Sequence, residues 1–389
     1  MNVLYIADIP DVCYENIDFS EAGKKKKESM VKSLMNSGHS VDIYSPLASE
    51  RTGRSYYRSR QSKFNNVDVM YSPAIVLYPI INYLFSLLYS IYYAIVLFNK
   101  DYDVVLFYNY DVVTAIPAMI IRRIHNKPIV VEYEDAYSTQ EDFYSQLTSW
   151  IRTTAKVSGG LLVCENMSSL VTTENYGVFR GIKEIYDSNL PSGELDFLDI
   201  DNSDTVVMYS GGLTREKGID LFIKLAEFNS HSDIKFVSTG YGSPSTVHRI
   251  RSKFQDINSD DTIFLGKVSP YSRYVSLLER ADILVVLEDP AFSISRYRFP
   301  SKIIEYTERD SVIVSSNISD LDKITPCPCY LLPAYDVKSV SSEITHIHNN
   351  LDKYKSTHDI KQQTWIENEC NLESASHTVD TVLKQAMSS

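Results

Sequence analysis

With 389 residues and a formal net charge of −12, the chain is too long for one ordinary core and calls for two domains. Apolar content of 44% and charged content of 23% are those of a soluble globular protein, and the acidic balance argues against a general nucleic-acid binder. The five cysteines (Cys13, Cys164, Cys327, Cys329, Cys370) are odd in number and scattered, which fits a reducing compartment.

The chain opens on Asn2-Val-Leu-Tyr-Ile-Ala7, which reads as a first buried strand followed by acidic residues rather than as a cleavable signal. Strand-like runs recur at Val41–Tyr44, Val67–Tyr71, Val104–Tyr108, Ile129–Tyr133 and Leu161–Cys164. Helical patterns lie between them near Ala22–Asn36, Pro79–Phe98, Val112–His125 and Phe143–Lys156. Strands that are apolar throughout, alternating with helices, predict a parallel sheet covered on both faces. This N-terminal domain takes residues 1–190. A stretch with Pro, Gly and acidic residues but no periodicity, Asp187–Ser203, reads as the interdomain linker, centred on 191–203.

A second series occupies 204–358, with strands at Thr205–Tyr209, Ile234–Ser238, Thr262–Leu265, Ile283–Leu287, Val312–Ser315 and Tyr330–Leu332. Its helices are predicted at Ile219–Asn229, Pro244–Phe254, Tyr271–Arg280 and Ser301–Glu308. The tail, 359–389, is helical and polar-rich, and could cross back to the first domain. The fold class is therefore α/β, with two Rossmann-like doubly wound domains.

Candidate sites lie where strands give way to helices. Glu132-Tyr133-Glu134-Asp135 ends the fifth N-terminal strand, so its carboxylates, Glu134 foremost, could bind sugar hydroxyls, act as a base or cap the next helix. Gly211-Gly212-Leu-Thr-Arg215-Glu-Lys217-Gly218 follows the first strand of the second series. Its glycines admit a phosphate, and Arg215 with Lys217 can clamp a diphosphate; the alternative is a solvated turn. Gly240-Tyr-Gly242 and Gly266-Lys267 share the same predicted sheet edge, where a flat base could rest. Phe299-Pro300-Ser301-Lys302 starts a helix, with Ser301 as a plausible cap and free N–H groups for a phosphate. Glu305, one turn on, can accept both hydroxyls of a ribose, or be a helix-dipole carboxylate beside an exposed lysine. Cys327-Pro-Cys329 is too close for an ordinary bridge and lacks a second metal-ligand pair.

Two stretches concern membranes. Val69–Asn99 has no charged residue, and Ile80–Phe98 is nearly as long as a span of about 20 residues. It sits between two strands of one sheet and carries Pro79, Asn82 and several tyrosines, so it reads as a core helix with a tyrosine-lined exposed face. Before it, Arg51, Arg54, Arg58, Arg60 and Lys63 alternate with Tyr56, Tyr57 and Phe64, and Lys24–Lys27 lie on the preceding helix. That interleaving suits an anionic membrane surface or a solvated loop.

These words in this order resemble the GT-B nucleotide-sugar glycosyltransferases, and among them the retaining glycosyltransferase family 4. The resemblance is carried by Asn2-Val-Leu-Tyr-Ile, Ser37-Gly38-His39-Ser40-Val41, Gly211 to Gly218, Gly240-Tyr-Gly242, Phe264-Leu265-Gly266, Ala281-Asp282-Ile283 and Phe299 to Tyr306. It implies two domains facing a cleft, acceptor on the N-terminal side and donor on the C-terminal side. Lys217 and Arg215 would hold the donor diphosphate without a metal ion or other cofactor. Backbone near Ser301 and Lys302 would touch the phosphates, Glu305 the ribose and Glu134 the donor sugar. The implied partners are a nucleoside diphosphate sugar and a hydroxyl of a lipid-linked or cell-surface polysaccharide or glycolipid, in the cytoplasm or peripherally on the inner membrane face. The chain departs from the family in having Gly212 where an arginine is usual, Tyr297 where a second glutamate is usual, Asp310 for a glycine, and only Gly23 in its first loop. These departures keep two alternatives open: a non-catalytic GT-B subunit or glycan-binding partner, and a nucleotide-sugar epimerase on the same fold.

Overall fold

The computed structural model describes residues 1–9, 21–47, 53–99, 101–136, 143–186, 200–201, 203–229, 233–257, 259–307 and 309–388. Most of the linker expected at 191–203 lies outside them. Two compact units result. Unit 1 is Met1–Tyr186, Tyr297–Phe299 and Glu369–Ser389; unit 2 is Asp187–Arg296 and Pro300–Asn368.

The strands of unit 1 are β1 (Asn2–Ile6), β2 (Ser40–Ser45), β3 (Ser55–Tyr57), β4 (Arg60–Phe64), β5 (Val67–Tyr71), β6 (Ala74–Val76), β7 (Val104–Tyr108), β8 (Ile129–Tyr133), β9 (Gly159–Leu162) and β10 (Tyr176–Val178). Its helices are α1 (Glu21–Asn36), α2 (Pro79–Tyr92), α3 (Val112–His125), α4 (Phe143–Thr154) and α5 (Lys183–Tyr186). Eight strands form one sheet in the order β10-β9-β8-β7-β1-β2-β5-β4, and β3 pairs with β6 in a separate antiparallel ribbon. The central strands β1 and β7 are buried along almost their whole length, as strands covered on both faces must be.

At the edge, β4 runs antiparallel to β5 and alternates Arg60-Gln-Ser-Lys63-Phe64, with Phe64 turned into the core. Charged side chains on an edge strand discourage pairing with another chain. The basic stretch that also read as a loop is thus partly strand. Lys26 and Lys27 of α1 are buried, and so add nothing to a basic surface.

Unit 2 contains β11 (Thr205–Gly212), β12 (Ile234–Tyr241), β13 (Thr262–Gly266), β14 (Ile283–Val286), β15 (Val312–Ser315) and β16 (Tyr330–Leu331). They form a fully parallel sheet in the order β13-β12-β11-β14-β15-β16. Its helices are α6 (Ile219–Phe228), α7 (Pro244–Ile257), α8 (Tyr271–Arg280), α9 (Ser293–Arg296), α10 (Lys302–Tyr306), α11 (Val337–His348) and α12 (Leu351–Trp365). The strand order reverses between β11 and β14, which opens a crevice at their carboxyl ends. In unit 1 the same reversal falls between β1 and β7.

The last helix, α13 (Leu372–Ser388), follows a π-helical turn at Ile366–Cys370 and belongs to unit 1. Val379, Val382, Leu383 and Ala386 enter the same apolar cluster as Val3, Tyr5 and Leu34. Polar ties accompany them: Asn36 Nδ2 donates to Ser376 Oγ at 3.1 Å, and Ser37 Oγ donates to Ser376 O at 3.0 Å. Arg180 pairs with Glu369 and lies 5.0 Å from the Phe299 ring, joining the three separate segments of unit 1. The strands beneath α13 carry glycine where the helix presses closest. A Cβ on Gly177 would stand 2.6 Å from Thr378 Cγ2 and 3.1 Å from Val382 Cγ2. Gly177→Ala is expected to lower stability by about 1–3 kcal/mol through this overpacking. Urea midpoints should show the loss, and Thr378→Ser in the same chain should recover part of it.

Candidate functional site

The C-terminal edge of the unit 2 sheet gathers the glycines singled out in the sequence. Gly211 and Gly212 end β11, Gly240 lies near the end of β12 with Gly242 just beyond, and Gly266 ends β13. Two of these turns have no room for a side chain. A Cβ on Gly240 would fall 2.2 Å from Gly211 O, and one on Gly218 would fall 1.7 Å from Leu287 O. Gly218 also has φ +85, in the left-handed region, and starts α6. The hydroxyl of Tyr209 staples the loop between them, lying 2.7 Å from Gly212 O and 3.1 Å from Lys217 O.

This loop carries Lys217 to the crevice between β11 and β14. There its Nζ donates to Glu288 Oε1 at 2.6 Å, with Glu288 almost wholly buried just past β14. Arg215 is exposed, its guanidinium 6.0 Å from the Phe292 ring, and that side chain has no hydrogen-bond or ion-pair partner among the described residues. The two cations therefore do not form a ready-made clamp. One is held by a carboxylate and the other stands at the surface.

A second cluster adjoins the first. Lys302 Nζ donates to Glu305 Oε2 and to Tyr274 Oη, each at 2.7 Å. Glu305 also accepts from Tyr271 at 3.1 Å and from Tyr274 at 3.2 Å. Ser210 Oγ lies 2.8 Å from Tyr274 Oη and accepts from Tyr306 at 3.1 Å. Ser210 immediately precedes Gly211, so the network runs without a break from α10 to the glycine turn. Burial opposes the charge on Lys302, but the Glu305 carboxylate, together with Tyr274 and Tyr306, outweighs it and holds the ammonium well above the usual lysine range.

Three expectations change here. Ser301 stands at the N-cap position but caps nothing, because the turn closes on backbone bonds from Ile303 N to Pro300 O and from Glu305 N to Ser301 O. The helix is Lys302–Tyr306, shorter than Ser301–Glu308, and residue 308 lies outside the described residues. Glu305 is no simple helix-dipole carboxylate, since both its oxygens already accept from tyrosines and a lysine. Sequence reasoning missed Glu288, Tyr271 and Tyr274, and gave Ser210, at the head of the glycine turn, no role of its own. Glu288 could have been found, since Glu288-Asp289 directly follows a predicted strand at the edge where such sheets bind ligands.

In unit 1 the three neighbouring carboxylates diverge. Glu132 is fully buried and accepts from Tyr5 Oη; burial first, then the charge of Glu134, raises its carboxyl to about 8. Glu134 pairs with Lys26 at 2.7 Å, and Lys26 also donates to Phe179 O at 2.6 Å. Burial raises the Glu134 carboxyl, against the pull of Lys26. Asp135 instead lines a cavity of about 190 Å³ with Asp8, Tyr108, Tyr110, Thr148 and Arg152. Asn109, at φ +52, orders this edge by accepting from Glu134 N at 2.8 Å and Asp135 N at 3.3 Å. The cavity opens at the strand-order reversal between β1 and β7, and its mix of hydroxyls, carboxylates and one guanidinium suits a polyol. Among the described residues no group of three or more His, Cys, Asp or Glu side chains is arranged to hold a metal ion, and the thiols of Cys327 and Cys329 are free, 3.5 Å apart.

With this geometry in view, the chain can be set beside known proteins. The family model described as glycosyl transferases group 1 matches residues 194–364. No curated protein sequence matches the chain. Solved structures match over its whole length. Sucrose-phosphate synthase from Thermosynechococcus elongatus has a TM-score of 0.73 at 12% identity, covering 100% of both chains. Trehalose-6-phosphate synthase OtsA has 0.71 at 13%, covering 99% of each. Anabaena HepE, in complex with UDP, has 0.68 at 11%, covering 99% of this chain and 100% of that one.

The buried Glu132 has a consequence for pH. In the fold it keeps its proton up to about pH 8, whereas the unfolded chain releases it near 4.5. The folded state then binds more protons, so this group's contribution to stability falls as pH rises from about 4.5 to 8. Urea midpoints measured across that window should decline for the wild type and flatten in Glu132→Gln.

Proposed function

We propose, on the premise that the protein is a GT-B glycosyltransferase whose residues 194–364 form a glycosyl transferases group 1 domain, that it moves a sugar from a nucleoside diphosphate donor to an acceptor hydroxyl with retention of configuration. The acceptor we favour is a lipid-linked or cell-surface polysaccharide or glycolipid. The observation that carries the donor reading is the convergence at one sheet edge of Lys217, the Gly211–Gly212 turn and the Lys302–Glu305 pair, made continuous by Ser210.

In this reading the diphosphate enters over Gly211, Gly212, Gly240 and Gly242, where backbone can approach closely. Lys217 exchanges Glu288 for the departing phosphate as negative charge develops, and Arg215 adds a second cation from the loop. The backbone near Ser301 meets the phosphates, with Lys302 behind it. Glu305 accepts the ribose hydroxyls in place of one or both tyrosines, and the base rests near Gly266. By the chain's resemblance to the retaining family 4 enzymes, attack comes from the face the leaving group vacates, aided by its phosphate. The acceptor hydroxyls find their partners in the Asp135–Arg152 cavity of unit 1. Glu134, neutralised by Lys26, is a sugar-contacting carboxylate rather than a strong base.

Because HepE is seen with UDP, uridine nucleotides are the first donors to test. In calorimetric titration against uridine, guanosine and adenosine diphosphates, the wild type should bind one base selectively. Glu305→Ala and Lys217→Ala should each weaken that binding. Lys217→Ala should also lower turnover by at least about tenfold if it stabilises the leaving diphosphate. Unchanged turnover would remove that role. Folded protein that binds none of the nucleotides would favour a non-catalytic subunit.

A further inference from the structure

Helix α2 and the π turn that extends it, Pro79–Leu97, are inverted relative to an ordinary surface helix. The inward face carries Asn82, Ser86 and Ser90, one per turn, each 1% exposed or less. Asn82 Oδ1 accepts from Leu77 N at 2.8 Å, and Ser90 Oγ lies 3.1 Å from the hydroxyl of Tyr44, whose ring stacks on Tyr93. The outward face carries Ile80, Leu84 and Leu88, exposed by 81%, 56% and 58%, with Ile95 and Val96 continuing the row. The sequence expectation of a core helix with a tyrosine-lined exposed face therefore does not hold. Only 28% of this segment is buried, and its exposed face is mainly aliphatic. Single exposed leucines are ordinary, but a continuous row of them marks a surface that something apolar covers.

The charge around this row indicates what covers it. The chain as a whole is acidic, yet residues 53–99 hold Arg54, Arg58, Arg60 and Lys63 against the single acid Asp68. Arg54 and Arg58 are exposed on either side of β3, and Tyr56 between them is exposed too; the partner strand β6 leads into α2. At the far end, His125 Nε2 meets Ala94 O at 3.0 Å, bringing the last turn of α3, with Arg122, Arg123 and exposed Ile124, against the π turn. Of the acids around this segment, Asp68 faces Lys63 at 3.7 Å, Asp42 accepts from Tyr102 and Asp103 from Asn2 N, each at 2.8 Å, while Asp101 is exposed four residues past the π turn and offsets part of the charge at that end. A row that is apolar along its length and basic at both ends matches a bilayer with anionic headgroups. A second copy fits less well, because either orientation would bring arginines together. The segment is also long and apolar enough to cross a membrane, but it packs on α3 and β6 and leads directly to β7 of the same unit.

We propose that this face seats the protein on the surface of an anionic lipid bilayer, with α2 lying in the plane of the interface. The proposal stands apart from the donor reading. Only one corollary rests on it: Tyr83 of α2 also lines the unit 1 cavity, so a lipid-linked acceptor could reach that cavity from the bilayer.

Co-sedimentation of the full chain with vesicles tests this. One set is phosphatidylcholine alone; the other is an equimolar mixture with phosphatidylglycerol. Preferential binding to the mixed vesicles is expected, weakened at least about tenfold in the double variant Leu84→Glu and Leu88→Glu. Arg54→Ala with Arg58→Ala, which leaves α2 untouched, should remove the preference for the anionic set. Unchanged urea midpoints would show that the variants fold. Failure to bind either set, or equal binding by wild type and the Leu84/Leu88 variant, would overturn the proposal. A concentration-dependent dimer, seen by light scattering and lost in that variant, would also overturn it and assign the face to a second copy. Nucleotide titration is unaffected by either outcome, so failure here is distinguishable from failure of the donor reading.

Discussion

The Lys302 ammonium lies over the rings of Tyr274 and Tyr306, with about a third of its side chain exposed, and pairs with the nearly buried Glu305 three residues on. The pair costs desolvation, so breaking it by removing one partner would leave the other charge stranded. Its surroundings answer that cost with hydrogen bonds. Tyr271 and Tyr274 come from α8, Tyr306 from α10 itself and Ser210 from the end of β11. One ion pair therefore fixes a short helix, a long helix and a strand end against each other. The Gly211–Gly212 turn inherits its position from that arrangement. The second cation, Lys217, is brought to the same edge by an independent device, the forced glycine at 218 and the Tyr209 staple.

The same logic appears in unit 1 with another result. Lys26 is buried, bridges Glu134 and the carbonyl of Phe179, and so ties α1 to the end of β8. Adjacent Lys27 turns to Asp8 and lies over the Tyr108 ring. Two lysines that read as surface charge are structural struts, while Glu132 beside them stays protonated near neutrality. The cavity lined by Asp135 and Arg152 is framed by these fixed groups, not by loop residues alone.

Much of the fold is legible in the chain. Val104–Tyr108, Ile129–Tyr133 and Val312–Ser315 stand out because uninterrupted apolar runs between turn residues have few other homes. Val112–His125 is bounded by Asp111, whose side chain accepts from Val113 N at 2.9 Å, and by Asn126 in the left-handed region. Helix α11 is less visible, although Asp336 caps it through Ser339 N, because its apolar positions are interspersed with serine, threonine and histidine. The glycine turns were readable, and so was the place of Lys217. Their partners were not. Whether Lys217 meets Glu288 or open water depends on β14 lying beside β11, and local pattern does not specify strand order. In α2 the absence of charge was plain, but which face turns outward depends on Asn82 and Ser90 finding partners inside.

The return of α13 to unit 1 bears on how the molecule is made. Residues of unit 2 leave the ribosome before α13 does, so unit 2 can finish folding while unit 1, begun first, still lacks one wall of its core. During that interval the bare surface that will meet Val379, Val382 and Leu383, together with the glycines of β9 and β10, is open to the cell. Synthesis order and completion order are thus reversed, and the earliest-made domain is the last to be sealed.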